Sequence, residues 1–414
     1  MTKPLNKPKR KNPIVRTRQP TVPASTRARY TQGLTAAAAR GVFALQSCED
    51  CSAIQYPPRE ACSNCLSVRL RWREIDGAGE LIARTTIRYG FELYFRERAP
   101  WPSGIVRLDC GPSVVVALHQ DCAEPPARVH VIAALDKGGQ ATLIGIPEKG
   151  TPAMEDDPIL RETTADPKFR KILVTDAKSP AGAAIVEALI DAGADYVWAG
   201  VGEPWKSSAH LERIKTLPQV TVVPLDVTEE TSVRKLAGNI GHKVDILINT
   251  AEYHRVGRLA GSQGVETARS EMETNYFGLL RLAQWFGPAL QSRAADGQSS
   301  ATAWVNILSI YALSNFPAHS TFSASTAAAY SLSQSLRAAM QPSGIRVINI
   351  FPGPIDDEWN QLLLPPKLAP AALAASVINA LKRGLEDVYP GDVAQEWLAR
   401  YLDNPKALER ELAG

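Results

Sequence analysis

Lys171-Ile-Leu-Val-Thr-Asp-Ala-Lys-Ser-Pro-Ala-Gly182 decides the fold of the larger part of this chain. A short apolar run at 172–174 breaks into small and polar residues, and Pro180 suits the first turn of a helix that follows. The texture repeats downstream. Apolar runs at 220–225, 244–248, 304–308 and 347–350 alternate with helical stretches. Strands that apolar, set between helices, are buried on both faces of a parallel sheet. Residues 169–414 are expected to form a Rossmann-type, doubly wound α/β domain.

Upstream the pattern differs. Residues 79–88, 104–108, 113–118 and 129–132 read as short strands with turn punctuation, which is small all-β material over 71–150. Residues 31–70 hold an alanine-rich helix and four cysteines. Cys48-x-x-Cys51 and Cys62-x-x-Cys65 are two turns that each present a pair of thiolates. Together they complete a tetrahedral, all-thiolate zinc site with no open position, so the metal is structural. Cys110 and Cys122 stand alone in strand-like contexts and read as buried thiols. Residues 151–168, with Pro152, Glu155, Asp156, Asp157, Pro158, Asp166 and Pro167, read as a polar linker.

Composition bounds the function classes. Of 414 residues, 45% are hydrophobic and 21% charged, which excludes fibrous and wholly disordered chains. Ten Lys/Arg precede the first acid, Glu49, and leave the 374 residues after Arg40 with a net charge of −7. The basic character belongs to a proline-bearing tail, residues 1–30, expected to be disordered. Without a basic face interleaved with aromatics, nucleic acid is not an expected partner. No apolar run approaches a membrane span and no apolar h-region opens the chain, so the expected compartment is the cytoplasm.

Two resemblances sharpen this. The phrase Tyr56-Pro-Pro-Arg-Glu-Ala-Cys62-Ser-Asn-Cys65, then Trp72 and Gly77-Ala-Gly-Glu-Leu81, resembles the zinc-ribbon/OB-fold family associated with acyl-CoA metabolism. The resemblance implies a rubredoxin-like ribbon, an OB barrel and a partner among thiolases, thiolase-like aldolases or related acyl-CoA enzymes.

From Lys171 onward the chain resembles the short-chain dehydrogenase/reductase family. Its landmarks fall in family order: the turn after 172–174, Asp226 in Leu-Asp-Val, Asn249-Thr-Ala-Glu252, Asn275, Ser309 and Pro352-Gly353. That family reduces carbonyls with NAD(P), using a Tyr acid, a Lys, a Ser and an Asn. Here the resemblance places Asn275 and Ser309 at family positions, but Phe322 at the Tyr and Thr326 at the Lys. In the phosphate loop Thr175 is followed by Asp176, Pro180 and Gly182, where the pattern has three glycines; only Gly182 is kept. Pro180 has no N–H to donate and Asp176 adds a carboxylate. Glu252 puts another where the family has Gly, and Asp357 replaces a nicotinamide-contacting Thr. Glu203 is the one acid near the tip of the second strand.

These losses argue against a bound nicotinamide dinucleotide and for a pseudoenzyme. The leading expectation is a non-catalytic accessory subunit of an acyl-CoA-processing complex. Helices near 265–292 and 321–340, which the resemblance implies as the subunit contact, would make it an oligomer, with a second copy or an intact dehydrogenase as partner. The alternative is an NAD(P)-dependent oxidoreductase acting on a 3-hydroxyacyl- or 3-oxoacyl-CoA through a non-standard site.

Overall fold

A computed structural model describes residues 1–7, 21–206, 208–257, 259, 264–296 and 300–413. The chain divides into two units. One comprises Met1–Lys7 and Thr21–Ala165; the other runs over Asp166–Lys382 and resumes at Glu386.

The first unit begins with helix α1 (Gln32–Ala39), which buries Leu34, Ala37 and Ala38. Strands β1 (Ala44–Cys48), β2 (Ile54–Gln55) and β3 (Leu70–Glu74) form an antiparallel ribbon in the order β2-β1-β3. A closed barrel follows. Its strands are β4 (Ala78–Ile87), β5 (Trp101–Leu108), β6 (Ser113–Leu118), β7 (Ala127–Leu135) and β8 (Ala141–Pro147), with helix α2 (Leu93–Arg98) after β4. The order β4-β5-β6-β8-β7 closes where β4 pairs β7. Alternate residues of β6 point inward, so Val114, Val116 and Leu118 join Leu81, Val106 and Val131 in one core.

The stretch expected as a polar linker is folded instead. A 3₁₀ turn (Met154–Asp156) leads into helix α3 (Pro158–Thr163). Asp157 is fully buried. Its carboxylate caps α3 by accepting the Ile159 N–H (2.8 Å) and also takes the Gln120 N–H (2.9 Å). The His119 Nε2–H donates to the Met154 carbonyl (3.1 Å). These acids and prolines mark a helix start rather than a loop, because Asp at an N-cap before Pro at N1 is a helix signal.

Of the tail expected to be disordered, residues 8–20 lie outside the described residues. Residues 1–7 and 21–28 carry no helix or strand, yet Thr2 is buried and the Leu5 N–H donates to the Asp156 carboxylate (3.0 Å). Residues 1–7 therefore pack on the first unit.

The second unit alternates strand and helix. In chain order it contains β9 (Lys171–Val174), α4 (Pro180–Asp191), β10 (Tyr196–Val201), α5 (Ala209–Lys215), β11 (Val220–Pro224) and α6 (Glu230–Ile240). Next come β12 (Ile246–Asn249), α7 (Gly264–Glu271), a π-helical segment (Met272–Gly278) and α8 (Leu279–Arg293). Then follow β13 (Ala303–Ile307), α9 (Ser320–Met340), β14 (Arg346–Ile350), α10 (Pro370–Arg383), β15 (Asp387–Val388), α11 (Asp392–Asp403) and α12 (Pro405–Leu412). All strand pairs are parallel, in the order β11-β10-β9-β12-β13-β14-β15. The order reverses between β9 and β12. Ligands of open α/β sheets sit outside the carboxyl ends of strands at such a switch point. No helix among the described residues is long and apolar enough to cross a membrane.

Candidate functional site

Two places carry chemistry. The first is the thiolate cluster. In each turn the residue after the second cysteine has a left-handed backbone: Ser52 at φ 60° and Leu66 at φ 62°. The hydrogen bonds match as well. Cys48 N–H reaches Ala53 O and Ser52 N–H reaches Cys48 O; Cys62 N–H reaches Ser67 O and Leu66 N–H reaches Cys62 O. The two knuckles are thus copies of one turn, and they bring four sulfurs within 4.8 Å of one another. Cys48–Cys65 and Cys51–Cys62 sulfur pairs stand 3.6 Å apart. A tetrahedron with Zn–S of about 2.3 Å needs edges of about 3.8 Å, so the cluster fits structural zinc. Within the cluster the Ala53 N–H pulls the Cys51 thiol down to about 6, while Cys65, although it accepts the Ser67 N–H, is pushed up to about 12 by the neighbouring Cys51 sulfur.

The second place is the cleft at the carboxyl ends of β9, β12, β13 and β14. The turn after β9 is stitched to the end of β12. Thr175 Oγ1 donates to Asn249 Oδ1 (2.9 Å) and accepts the N–H groups of Thr250 (3.0 Å) and Ala251 (3.2 Å). Thr250 Oγ1 accepts the Asp176 N–H (2.9 Å). The Asp176 carboxylate takes the Lys178 N–H (3.0 Å) and the Ser179 N–H. Ser179 caps α4 by accepting the Gly182 N–H (3.1 Å), with Pro180 at the first helical position. Gly182 is required, since a Cβ there would lie 1.9 Å from the Asp176 carbonyl oxygen. The loop thus keeps its strand–turn–helix geometry, and its own side chains accept the Lys178, Ser179 and Gly182 N–H groups.

The other family positions are likewise engaged internally. Asp226 accepts the Thr228 N–H (2.9 Å) and hydroxyl (2.6 Å). Glu203 pairs with Lys206 (3.0 Å) and Lys178 (3.6 Å). Asn275, inside the π-helical segment, accepts the Tyr253 N–H (2.9 Å) and donates to the Tyr253 carbonyl (3.0 Å) and Ser325 Oγ (2.9 Å). Ser309 accepts the Tyr311 N–H (3.3 Å), leaving its hydroxyl proton available. Thr326 donates back into its own helix, to the Phe322 and Ser323 carbonyls. Asp357 caps the turn at Trp359 and Asn360. Arg255 stacks on Trp359 (4.6 Å) and Tyr253 (5.2 Å), joining the loops after β12 and β14.

Sequence reasoning missed two histidines. Phe322 stacks on the His254 ring at 3.8 Å and 15°. His254 Nε2 is hydrogen-bonded to His319 Nδ1, and His254 Nδ1 faces Glu252 Oε1 at 3.7 Å. Both rings are buried. Burial holds His254 down to about 3 and His319 to about 4, so both are neutral at pH 7. The pair is 65 residues apart in sequence, and no local spacing signals it.

The negative charge expected at Glu252 is corrected by the same physics. Its side chain keeps 23% of its surface exposed, yet partial burial, reinforced by Asp357, Asp176 and Glu271, pushes its carboxyl up to about 8 and favours the protonated form at pH 7. Burial raises Asp176 and Asp357 too.

Comparison with known proteins agrees with this architecture. Residues 35–70 match the ChsH2 rubredoxin-like zinc ribbon domain, residues 72–133 the ChsH2 C-terminal OB-fold domain, and residues 170–365 the short chain dehydrogenase family. A Staphylococcus aureus protein described as an uncharacterized oxidoreductase is 30% identical over 218 residues, covering 50% of this chain and 89% of its own. A short chain dehydrogenase from Burkholderia cenocepacia, solved in complex with NADP, is 34% identical with a TM-score of 0.54, over 60% of this chain and 98% of its own. A short-chain dehydrogenase from Streptomyces avermitilis is 26% identical with a TM-score of 0.51, over 59% and 96%. The second unit of this chain belongs to the short-chain dehydrogenase family. Ahead of it the chain carries ChsH2-type zinc-ribbon and OB-fold domains.

Proposed function

We propose that this chain is an accessory subunit of an acyl-CoA-processing complex whose dehydrogenase-type domain does not perform its family's hydride transfer. One observation carries the reading: Phe322 occupies the acid's position and is stacked on a buried, neutral imidazole. A phenyl ring cannot exchange a proton, and Thr326 brings no cation to assist another group. Fold alone does not confer activity. The zinc-ribbon and OB-fold domains support an acyl-CoA enzyme, thiolase-like or related, as the partner. In the second unit the helical stretch from α7 through α8, together with α9, is the proposed subunit contact, with a second copy or an intact dehydrogenase subunit.

A second reading has its own support. The 34%-identical relative holds NADP. On that reading the chain reduces a 3-oxoacyl-CoA or related carbonyl with a nicotinamide cofactor. Steady-state assay of a 3-oxoacyl-CoA with NADPH and with NADH separates the two. The accessory reading predicts no turnover above buffer; turnover at about 1 s⁻¹ or faster, within the ordinary range of enzymes, supports the oxidoreductase.

A further inference from the structure

The carboxyl end of β13 is bridged over. In the sheet β13 lies between β12 and β14, so the loops that leave those two neighbours flank Ser309 on either side. They meet. The Tyr253 and Trp359 rings stand 5.9 Å apart. The Arg255 guanidinium lies 4.6 Å from the centre of the Trp359 ring and 5.2 Å from that of Tyr253. Arg255 Nε–H also donates to the Tyr253 hydroxyl (3.3 Å). Ser309 is only 5% exposed, and Asn275 and Phe322 are buried with it, whereas Arg255 itself is exposed.

The two loops are held differently. The one after β12 is pinned along its length. Tyr253 exchanges two hydrogen bonds with Asn275, and Arg255 N–H donates to Glu271 Oε1 (3.1 Å). Gly257 N–H donates to the Ala318 carbonyl (2.8 Å), and the Gly257 carbonyl accepts the Ser320 hydroxyl (3.2 Å). The loop after β14 is closed at its neck, where Leu368 N–H donates to the Pro354 carbonyl (2.7 Å) and Asp356 N–H to the Leu368 carbonyl (2.9 Å). Beyond the neck, Asp357 Oδ1 holds Trp359 and Asn360 in a local turn (3.1 Å each). Leu362 and Leu364 then project with 84% and 87% of their surface exposed. A segment tied at its neck, with apolar side chains in water, is drawn from the low-stability end of a fold. Trp359 ties this flap across to the fixed loop.

We propose that Arg255 is a latch that holds the flap of residues 356–366 shut over Ser309, so that the cleft rests in a self-occluded state. The planar guanidinium suits the task, because it stacks on an indole face through a contact weak enough at an exposed site to break and remake. A ligand reaches Ser309 only after Arg255 leaves Trp359. The latch goes beyond both readings of function above and rests on neither, since each requires it open before anything enters the cleft.

The test measures access rather than turnover. The full chain carrying Ser309→Cys is treated with N-ethylmaleimide, and peptide mass spectrometry follows alkylation of the introduced thiol, with Cys110 as the internal reference. Adding Arg255→Ala should speed that alkylation at least about fivefold, the combined size of two exposed cation–π contacts, and leave Cys110 unchanged. In a chain that already carries Trp359→Ala, the same Arg255→Ala should change the rate less than about twofold, because Arg255 then holds only Tyr253 of its own loop. With Ser309 in place, Arg255→Ala should speed amide hydrogen exchange across 356–366 by a like factor and leave β9 unchanged; this measurement decides alone if Ser309→Cys does not fold. An alkylation or exchange rate indifferent to Arg255→Ala, or an equal acceleration when Trp359→Ala is present, overturns the proposal.

Discussion

Glu252, His254 and His319 give the second unit a pH signature. Glu252 is protonated in the folded chain up to about 8 but ionises near 4.5 when unfolded, so its contribution is lost as pH rises through the folded value. The histidines are neutral down to about 3 and 4 when folded but protonate near 6.5 when unfolded, so theirs is lost as pH falls below 6.5. Stability against urea should therefore peak near pH 6.5. Between pH 6.5 and 8, Glu252→Gln should flatten the decline by roughly 1 kcal/mol per pH unit. An unchanged slope would show that Glu252 ionises freely in the fold. A second prediction concerns Phe322 and Thr326, which are 2% and 3% exposed. Phe322→Tyr with Thr326→Lys rebuilds the family's couple in name only, because it buries an unpaired ammonium. It should lower stability by at least about 3 kcal/mol and Tm by roughly 6–12 °C, with no carbonyl-reducing turnover. A stable, active double variant would contradict the account.

At the scale of elements, the legible features were those with a local period or a fixed spacing. The buried strands of the sheet, Pro180 at a helix start and the paired knuckles were all readable, since each is written in consecutive residues. The barrel strand β8 and the folding of 151–165 were not. Ala141-Thr-Leu-Ile-Gly-Ile-Pro147 lacks clear alternation, and Asp157 looks like a loop residue until Gln120 is brought beside it. The same holds in the cleft: Phe322 and Thr326 were visible by counting from Ser309, whereas the imidazole line is assembled only by the fold. Asp157→Ala should cost about 2–4 kcal/mol in the first unit, because it leaves the Ile159 and Gln120 N–H groups unpaired; equilibrium unfolding measures it. Cys62→Ser should lower zinc from about one equivalent per chain by elemental analysis and destabilise the same unit. A metal-free preparation with an intact ribbon would refute the zinc assignment.

At the scale of the whole molecule, recruitment is proposed for the first unit and oligomerisation for the second. The unit boundary at Ala165 and Asp166 sets where to cut. Fragment 1–165 should fold with zinc and retain the acyl-CoA enzyme, whereas 1–150 should be unstable because it lacks Asp157 and α3. Fragment 166–414 should remain oligomeric by light scattering. Capture of the acyl-CoA enzyme by 166–414 alone would reverse the assignment. The central proposal is that the dehydrogenase-type cleft has given up its family's hydride transfer, which Phe322 at the family's acid position and Asp176 in the loop after β9 support. Calorimetric titration of the full chain with NADPH, and separately with NADH, tests it most directly. The account predicts no saturable heat up to millimolar nucleotide; saturation in the micromolar range with one site per chain would contradict it.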